Sequence, residues 1–264
     1  MTNKTDKNSN EPRSRAEAQS QSEQLPASTN LGRNVADSPE LSRFFADRIA
    51  YQLKPYANQI ANGDCLQILR QLPAACVDFI LTDPPYVTNY IDRSGRRIAN
   101  DDNTRWIFPA FWELHRVFKP DSYAVSFYGL GKAERFLAVW RECGFPPVGH
   151  FVWVKRYSSL VGNVQMKHEQ AYLLAKGNPP PPVSPPPDVL PWYYTGNRLH
   201  PTQKPVLSLT PLIEAFSRPG GLVLDPFAGS GTTGIGARQS RRRFLLIEKD
   251  PAYFRAAQDR LNRH

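Results

Sequence analysis

Gly221-Leu222-Val223-Leu224-Asp225-Pro226-Phe227-Ala228-Gly229-Ser230-Gly231-Thr232-Thr233 is the stretch that decides the fold. Leu222, Val223 and Leu224 form an apolar run of strand character closed by an acid, and Pro226 to Gly231 follow as a tight glycine-rich turn. A helix is predicted through Gly234–Ser240, opened by Thr232 or Thr233 as its cap. Glycines at 229 and 231 let the backbone approach a ligand closely, beside a helix amino end that favours negative charge. Arg243-Phe244-Leu245-Leu246-Ile247-Glu248 then reads as a second strand that also ends in an acid. An acid at that place suits the hydroxyls of a ribose. Strand, glycine turn, helix, strand and acid make half of a nucleoside-binding α/β unit.

The turn lacks the third glycine that packs helix on strand in dinucleotide sites, which disfavours NAD. It also lacks the lysine-bearing pattern of a phosphate loop, since Lys204 and Lys249 stand far from the required position. Asp225 at the strand tip suits a cationic amino group better than a pyrophosphate. S-adenosylmethionine, with an ammonium, a carboxylate and a ribose, matches this set of groups.

A second motif lies upstream. The strand-like residues Val77, Phe79, Ile80 and Leu81 lead into Asp83-Pro84-Pro85-Tyr86. The prolines fix φ, so a carboxylate and a backbone carbonyl can converge on one amino group while Tyr86 offers a flat face. Two acceptors and a ring suit the exocyclic amine of a nucleobase. Taken alone, the same four residues also describe a proline-rich turn that closes a buried strand.

Together these motifs resemble the β-group of DNA amino-methyltransferases, which modify the N6 of adenine or the N4 of cytosine. The resemblance rests on Gly63-Asp64-Cys65-Leu66-Gln67-Ile68-Leu69, Asp83-Pro84-Pro85-Tyr86, His200-Pro201-Thr202-Gln203-Lys204-Pro205, the Asp225–Thr233 turn and Ile247-Glu248-Lys249-Asp250-Pro251-Ala252-Tyr253. In that group the chemistry motif precedes the cofactor motif, as it does here. The resemblance spans residues 57–264. It implies a Rossmann-like α/β methyltransferase fold in permuted order, with a mainly parallel, helix-flanked sheet and a small target-recognition insert over 157–199. By the same resemblance, Phe227, Gly229, Ser230, Gly231 and Thr232 surround the methionine and sugar, with Asp225 near the amino group. Thr202 and Lys204 are expected at the methionine carboxylate and Glu248 at the ribose. Asp64, next to Cys65, faces the cofactor's adenine amine in the family, and it reads equally well as a helix cap.

The resemblance implies that Asp83 and the carbonyl of Pro84 accept the hydrogens of a flipped base, with Pro85 shaping the turn and Tyr86 stacking on the ring. Asp at position 83 favours adenine, because cytosine-N4 members commonly begin this motif with Ser. A cytosine-N4 enzyme is the alternative. A protein or RNA methyltransferase, or a DNA-binding relative without catalysis, fits less well with the motif order and with retention of Asp83 and the glycine turn. The scheme calls for no metal.

The remaining sequence agrees with a nucleic-acid partner. Lys and Arg number 33 against 24 acids in 264 residues, a net charge of +9, which suits a protein that follows a phosphate backbone. Val87–Asn103 is a polar, basic segment after the proposed catalytic turn, and its Arg93, Arg96 and Arg97 are candidate phosphate contacts. Trp192, Tyr193, Tyr194 and Arg198 are candidate base contacts, and the aromatics read equally well as buried packing. Residues 1–40 read as a disordered polar tail and 41–264 as the catalytic domain. Pro179–Pro191 is expected to extend as polyproline II. Three cysteines without metal spacing point to a cytoplasmic setting, and no run approaches a membrane span. The family resemblance also implies a homodimer.

Overall fold

The structure is a computed structural model that describes residues 39–91, 95–161, 163–196 and 198–263. The chain divides into two units, residues 1–43 and 44–264. Of the first, only the opening residues of helix α1 (Pro39–Leu53) are described. The expectation for residues 1–38 and the one for Arg93 lie outside the described residues.

The second unit is built on one eight-stranded sheet in the order β1-β8-β7-β2-β3-β5-β4-β6. The strands are β1 (Gln59–Asn62), β2 (Phe79–Thr82), β3 (Ser122–Phe127), β4 (Pro147–Val161), β5 (Val164–Lys176), β6 (Val189–Pro191), β7 (Leu222–Asp225) and β8 (Arg243–Glu248). From β1 through β8, β7 and β2 to β3 all neighbours are parallel. β5 joins β3 antiparallel, β4 joins β5 antiparallel, and β6 is a parallel edge strand on β4. The mainly parallel sheet expected from the sequence is present.

Strand alternation explains why helices cover both faces. Successive side chains of a strand point to opposite sides. Ile80, Leu222, Leu224, Leu245 and Ile247 therefore share one core with α2 (Cys65–Leu69), α3 (Ile107–Val117) and α4 (Ala133–Glu142). Phe79, Leu81, Val223, Phe244 and Leu246 point the other way, against α5 (Val206–Phe216), α6 (Thr232–Gln239) and Leu261 of α7 (Pro251–Arg263). Strands buried on both faces read as the unbroken apolar runs seen in the sequence.

Two segments of the expected 157–199 insert pair into the sheet. Residues 157–161 and 164–176, expected within a recognition insert, belong to β4 and β5 of the main sheet. At the end of the proline-rich stretch, Val189, Leu190 and Pro191 pair with Val152, Trp153 and Val154. An edge position is where a strand tolerates proline, because the missing N–H faces no partner.

Candidate functional site

The site lies where β2 and β7 run side by side. Phe79 pairs with Val223 and Ile80 with Leu224, in parallel. Both strands therefore end at the same edge of the sheet, and the turns that follow them, Asp83–Tyr86 and Pro226–Gly231, become neighbours. A crevice beyond the carboxyl ends of strands, at the point where strand order reverses, is the usual ligand position in such sheets. An open cleft of about 780 Å³ occupies this place. Asp64, Cys65, Asp83, Pro84, Pro85, Tyr86, Thr202, Phe227, Gly229 and Glu248 all line it. Lys204, Asp225, Ser230 and Thr232 line an adjoining pocket, whose wall also includes Asp83, Phe227 and Gly229.

The glycine turn is held from within. Gly231, at φ 78°, is the residue that caps α6, and no side chain caps the helix. The expected threonine cap is thus corrected. Thr233 Oγ1 instead donates to Asp225 Oδ2 at 2.7 Å, and Thr232 Oγ1 donates to the Lys204 carbonyl at 2.8 Å. The physical reason is Asp225, a buried acid that needs donors. Its Oδ1 accepts from Phe227 N at 3.1 Å, and burial pushes its carboxyl up to about 7. Both Asp225 oxygens are thus engaged by the turn.

Glu248 closes the far side. Its Oε2 accepts from Gly229 N and its Oε1 from Asp250 N, each at 2.8 Å. Burial raises its carboxyl above the usual range, and these backbone donors oppose that rise. Asp64 is a helix cap that also lines the cleft. It caps α2 through Leu66 N at 3.0 Å, and it lines the cleft with Oδ2 at 3.2 Å from Lys249 Nζ. Beside it the Cys65 thiol is pushed up to about 12 by burial and by Asp64.

Asp83 carries two charge-assisted contacts. Tyr86 donates its hydroxyl to Oδ1 at 2.8 Å, and Lys204 Nζ stands 2.5 Å from Oδ2. Lys204, expected at a methionine carboxylate, pairs with Asp83 and gives that enclosed carboxylate a counter-charge. Desolvation raises the Asp83 carboxyl, and Lys204 is the largest influence holding it down.

Several cleft residues were missed by the sequence reading. The polar, basic segment after Tyr86 contributes Thr88, Tyr90 and Ile98 to Asp101 to the cleft wall. Buried Asp101 pins it by accepting from Thr88 N, Thr88 Oγ1 and Tyr90 N at 3.2, 3.1 and 2.7 Å. An acid among polar neighbours gives no sequence signal of burial. His200 was quoted only as part of a motif. It packs edge-on against Tyr253 at 4.4 Å, and burial with nearby Lys204 lowers its imidazole to about 3. Of the basic candidates, Arg96 reaches the Arg198 carbonyl at 3.5 Å, which joins two loops, and Arg97 pairs in a bridge with Ile91. Neither these nor Arg198 line the cleft.

Similarity to known proteins agrees with this geometry. The N6/N4 DNA methylase family model matches residues 77–259. The Escherichia coli (strain K12) protein named "Putative methylase YubD" is 52% identical over 204 residues, covering 77% of this chain and 90% of that relative. DNA adenine methyltransferase YhdJ of the same strain is 30% identical over 249 residues, covering 78% and 83%. Among solved structures, the M1.HpyAVI–SAM complex superposes with a TM-score of 0.62 at 24% identity, covering 77% of this chain and 98% of that one. The cytosine-N4-specific PvuII DNA methyltransferase gives 0.65 at 21% identity, covering 76% and 85%. These structural likenesses show a shared Rossmann-like methyltransferase fold. Among the described residues, no helix is long and apolar enough to cross a membrane.

Proposed function

The chain belongs to the N6/N4 DNA methylase family, and from that premise we propose that it methylates the N6 amine of adenine in DNA. S-adenosylmethionine is the methyl donor of this family. The donor set of the cleft fits it: acceptors at Glu248 and Asp64, a glycine backbone at 229, and walls from Phe227, Cys65 and Tyr253. Glu248 keeps unused lone pairs on both oxygens for a ribose diol, since each oxygen accepts one backbone N–H. Asp64 would take the adenine amine of the cofactor and Thr202 its methionine carboxylate, both residues lining the cleft. Ser230, Gly231 and Thr232 form the support behind Phe227 and Gly229. Asp225 acts through the turn that it holds. Bound in the cleft, S-adenosylmethionine supplies an electrophilic methyl group on a sulfonium sulfur.

The amine of adenine is a weak nucleophile because its lone pair is delocalised into the ring. Asp83 and the carbonyl of Pro84 accept its two hydrogens and draw the nitrogen toward tetrahedral geometry, which localises that pair. Asp83 has acceptor sites left after its bonds to Tyr86 and Lys204, and it takes the proton that the nitrogen sheds. Pro84 and Pro85 hold the turn rigid. Tyr86 stacks on the extruded base, a contact worth about 1–3 kcal/mol in comparable sites. A duplex hides the amine, so the base must leave the stack first. Arg96 and Arg97, next in sequence to Ile98 on the cleft wall, contact backbone phosphates of the DNA, and Arg198 contacts its bases.

The single observation that carries this reading is the shared cleft of Asp83, Tyr86, Phe227, Gly229 and Glu248. Adenine is favoured over cytosine by the acid at position 83 and by the adenine specificity named for YhdJ. The deciding experiment incubates the protein with methyl-labelled S-adenosylmethionine and genomic DNA, then identifies the modified nucleoside by mass spectrometry. N6-methyladenine is expected, and it disappears with Asp83→Ala while cofactor binding persists. Recovery of N4-methylcytosine alone would overturn the choice of base.

A further inference from the structure

Lys204 is not free to act at the open cleft. Its Nζ lies 2.5 Å from Asp83 Oδ2, and the two side chains retain 8% and 20% exposure. The ring of Phe127 stands 4.9 Å from the ammonium and that of Tyr86 stands 5.6 Å away, so aromatic faces wall it in. Its backbone is fixed too. Thr232 Oγ1 donates to the Lys204 carbonyl at 2.8 Å, and Arg260 donates to that same Oγ1 at 3.0 Å and to the Ser230 carbonyl at 3.1 Å. The glycine turn thereby sets where the ammonium sits, although Asp83 and Lys204 are 121 positions apart in sequence.

Among the described residues, Lys204 is the cation paired with Asp83, the Tyr86 hydroxyl also supports its charge, and Glu169 opposes it. Tyr86 is a neutral donor to Oδ1. Glu169 on β5 acts on Asp83 by like charge, and its own cation, Lys155, sits 2.9 Å from it. Asp225, at the tip of β7, and Asp83 likewise repel. We propose that Lys204 is a positioning residue for methyl transfer, holding Asp83 charged and aimed at the target amine, and is not a ligand of the cofactor's carboxylate. With the ammonium removed, two carboxylates and a desolvated setting drive a proton onto Asp83. A protonated Asp83 has lost acceptor capacity and cannot receive the amine's proton. Burial raises the Asp83 carboxyl, and Lys204 opposes that rise. This inference rests on Asp83 being the acceptor of the target amine.

The test titrates Asp83 itself. Protein labelled with carboxyl-¹³C aspartate is followed by NMR against pH, and the Asp83 resonance is assigned by its loss in Asp83→Asn. In Lys204→Met the Asp83 midpoint should rise by about 1–3 pH units, and the acid limb of the methyl-transfer rate should rise with it. Lys204→Gln, a more polar neutral replacement, should do the same if the methionine variant folds poorly, whereas Lys204→Arg should keep the parent midpoint. Cofactor affinity by calorimetry should change by less than about tenfold, that is by under one pK unit's worth of interaction. An unmoved midpoint in both neutral variants, together with a larger loss of cofactor affinity, would overturn the proposal and return Lys204 to the cofactor. The midpoint is read without activity. A parent protein that transfers no methyl to DNA therefore refutes the proposed reaction, while the titration still decides what Lys204 does to Asp83.

Discussion

Gly129 leaves no room for a side chain beside Tyr86: a Cβ added there would stand 2.7 Å from Tyr86 Cβ and 3.1 Å from the Tyr86 carbonyl oxygen. Real carbon atoms do not approach so closely, and the obstructing atoms belong to the root of the side chain and the backbone, which cannot swing aside. Gly129→Ala should therefore push the Asp83–Tyr86 turn out of place. The strain amounts to about 1–3 kcal/mol, and methyl transfer should fall far more steeply than stability, since small misplacements at a reacting centre are amplified. Cofactor affinity by calorimetry should stay near the parent value, because Phe227 and Glu248 are untouched. Full transfer activity in Gly129→Ala would show that the position of Tyr86 does not matter.

The two roles assigned to Tyr86 separate by substitution. Phenylalanine keeps the flat face but removes the hydroxyl that donates to Asp83 Oδ1 at 2.8 Å. Alanine removes both. Loss of the stacking face should cost about 1–3 kcal/mol in target binding, and loss of a hydrogen bond to a charged group about 1.5–3 kcal/mol at Asp83. Tyr86→Phe should thus lower the rate with little change in DNA affinity, while Tyr86→Ala lowers both. Equal DNA affinities for the alanine variant and the parent would remove the stacking assignment.

Glu248 offers a probe of the ribose. Both of its oxygens accept backbone N–H groups, from Gly229 and Asp250. Glu248→Gln turns one acceptor into a donor that faces another donor, so a buried pair is left unmade at a cost of about 1–3 kcal/mol. The glycine turn should loosen and cofactor affinity should drop about tenfold or more, in line with that cost. The preferred base should remain the same. Unaltered cofactor affinity would exclude Glu248 from the ribose site.

How far the sequence foretold this site follows from what kind of interaction each part uses. The strands around Leu224 and Ile80 were legible because burial on both faces writes a continuous apolar run. Asp83, Phe227 and Glu248 were legible because each stands at the end of such a run, where a short motif marks the turn. The pairing of Lys204 with Asp83 was not legible, since it depends on β2 and β7 becoming neighbours and on the ammonium being walled in by Phe127. Asp101 was hidden for a related reason: it sits among Asn100, Asp102 and Asn103, which look solvated, yet it holds Thr88 and Tyr90 from a buried position. The helix cap failed at Thr232 and Thr233 because a buried acid and a backbone carbonyl claimed those hydroxyls instead.

Two buried groups make opposite predictions for stability against pH. His200 has its imidazole lowered from 6.5 to about 3 in the folded protein. A depressed group contributes stability that is present above its unfolded value and is lost as pH falls from 6.5 toward 3. Asp225 is raised from 3.8 to about 7. Its contribution is full below 3.8 and is lost as pH rises through 7. Glu248 and Asp83, raised by burial too, act on the Asp225 side. Urea unfolding between pH 4 and 7 should therefore give difference curves of opposite slope, each limited to about 1.4 kcal/mol per pH unit. Relative to the parent, His200→Gln should gain stability as pH falls, because the parent alone must force a proton onto a buried imidazole or unfold. Asp225→Asn should lose stability relative to the parent over the same interval, because only the parent gains a proton bound more tightly in the folded state. Parallel difference curves for the two variants would mean that neither burial has the stated effect.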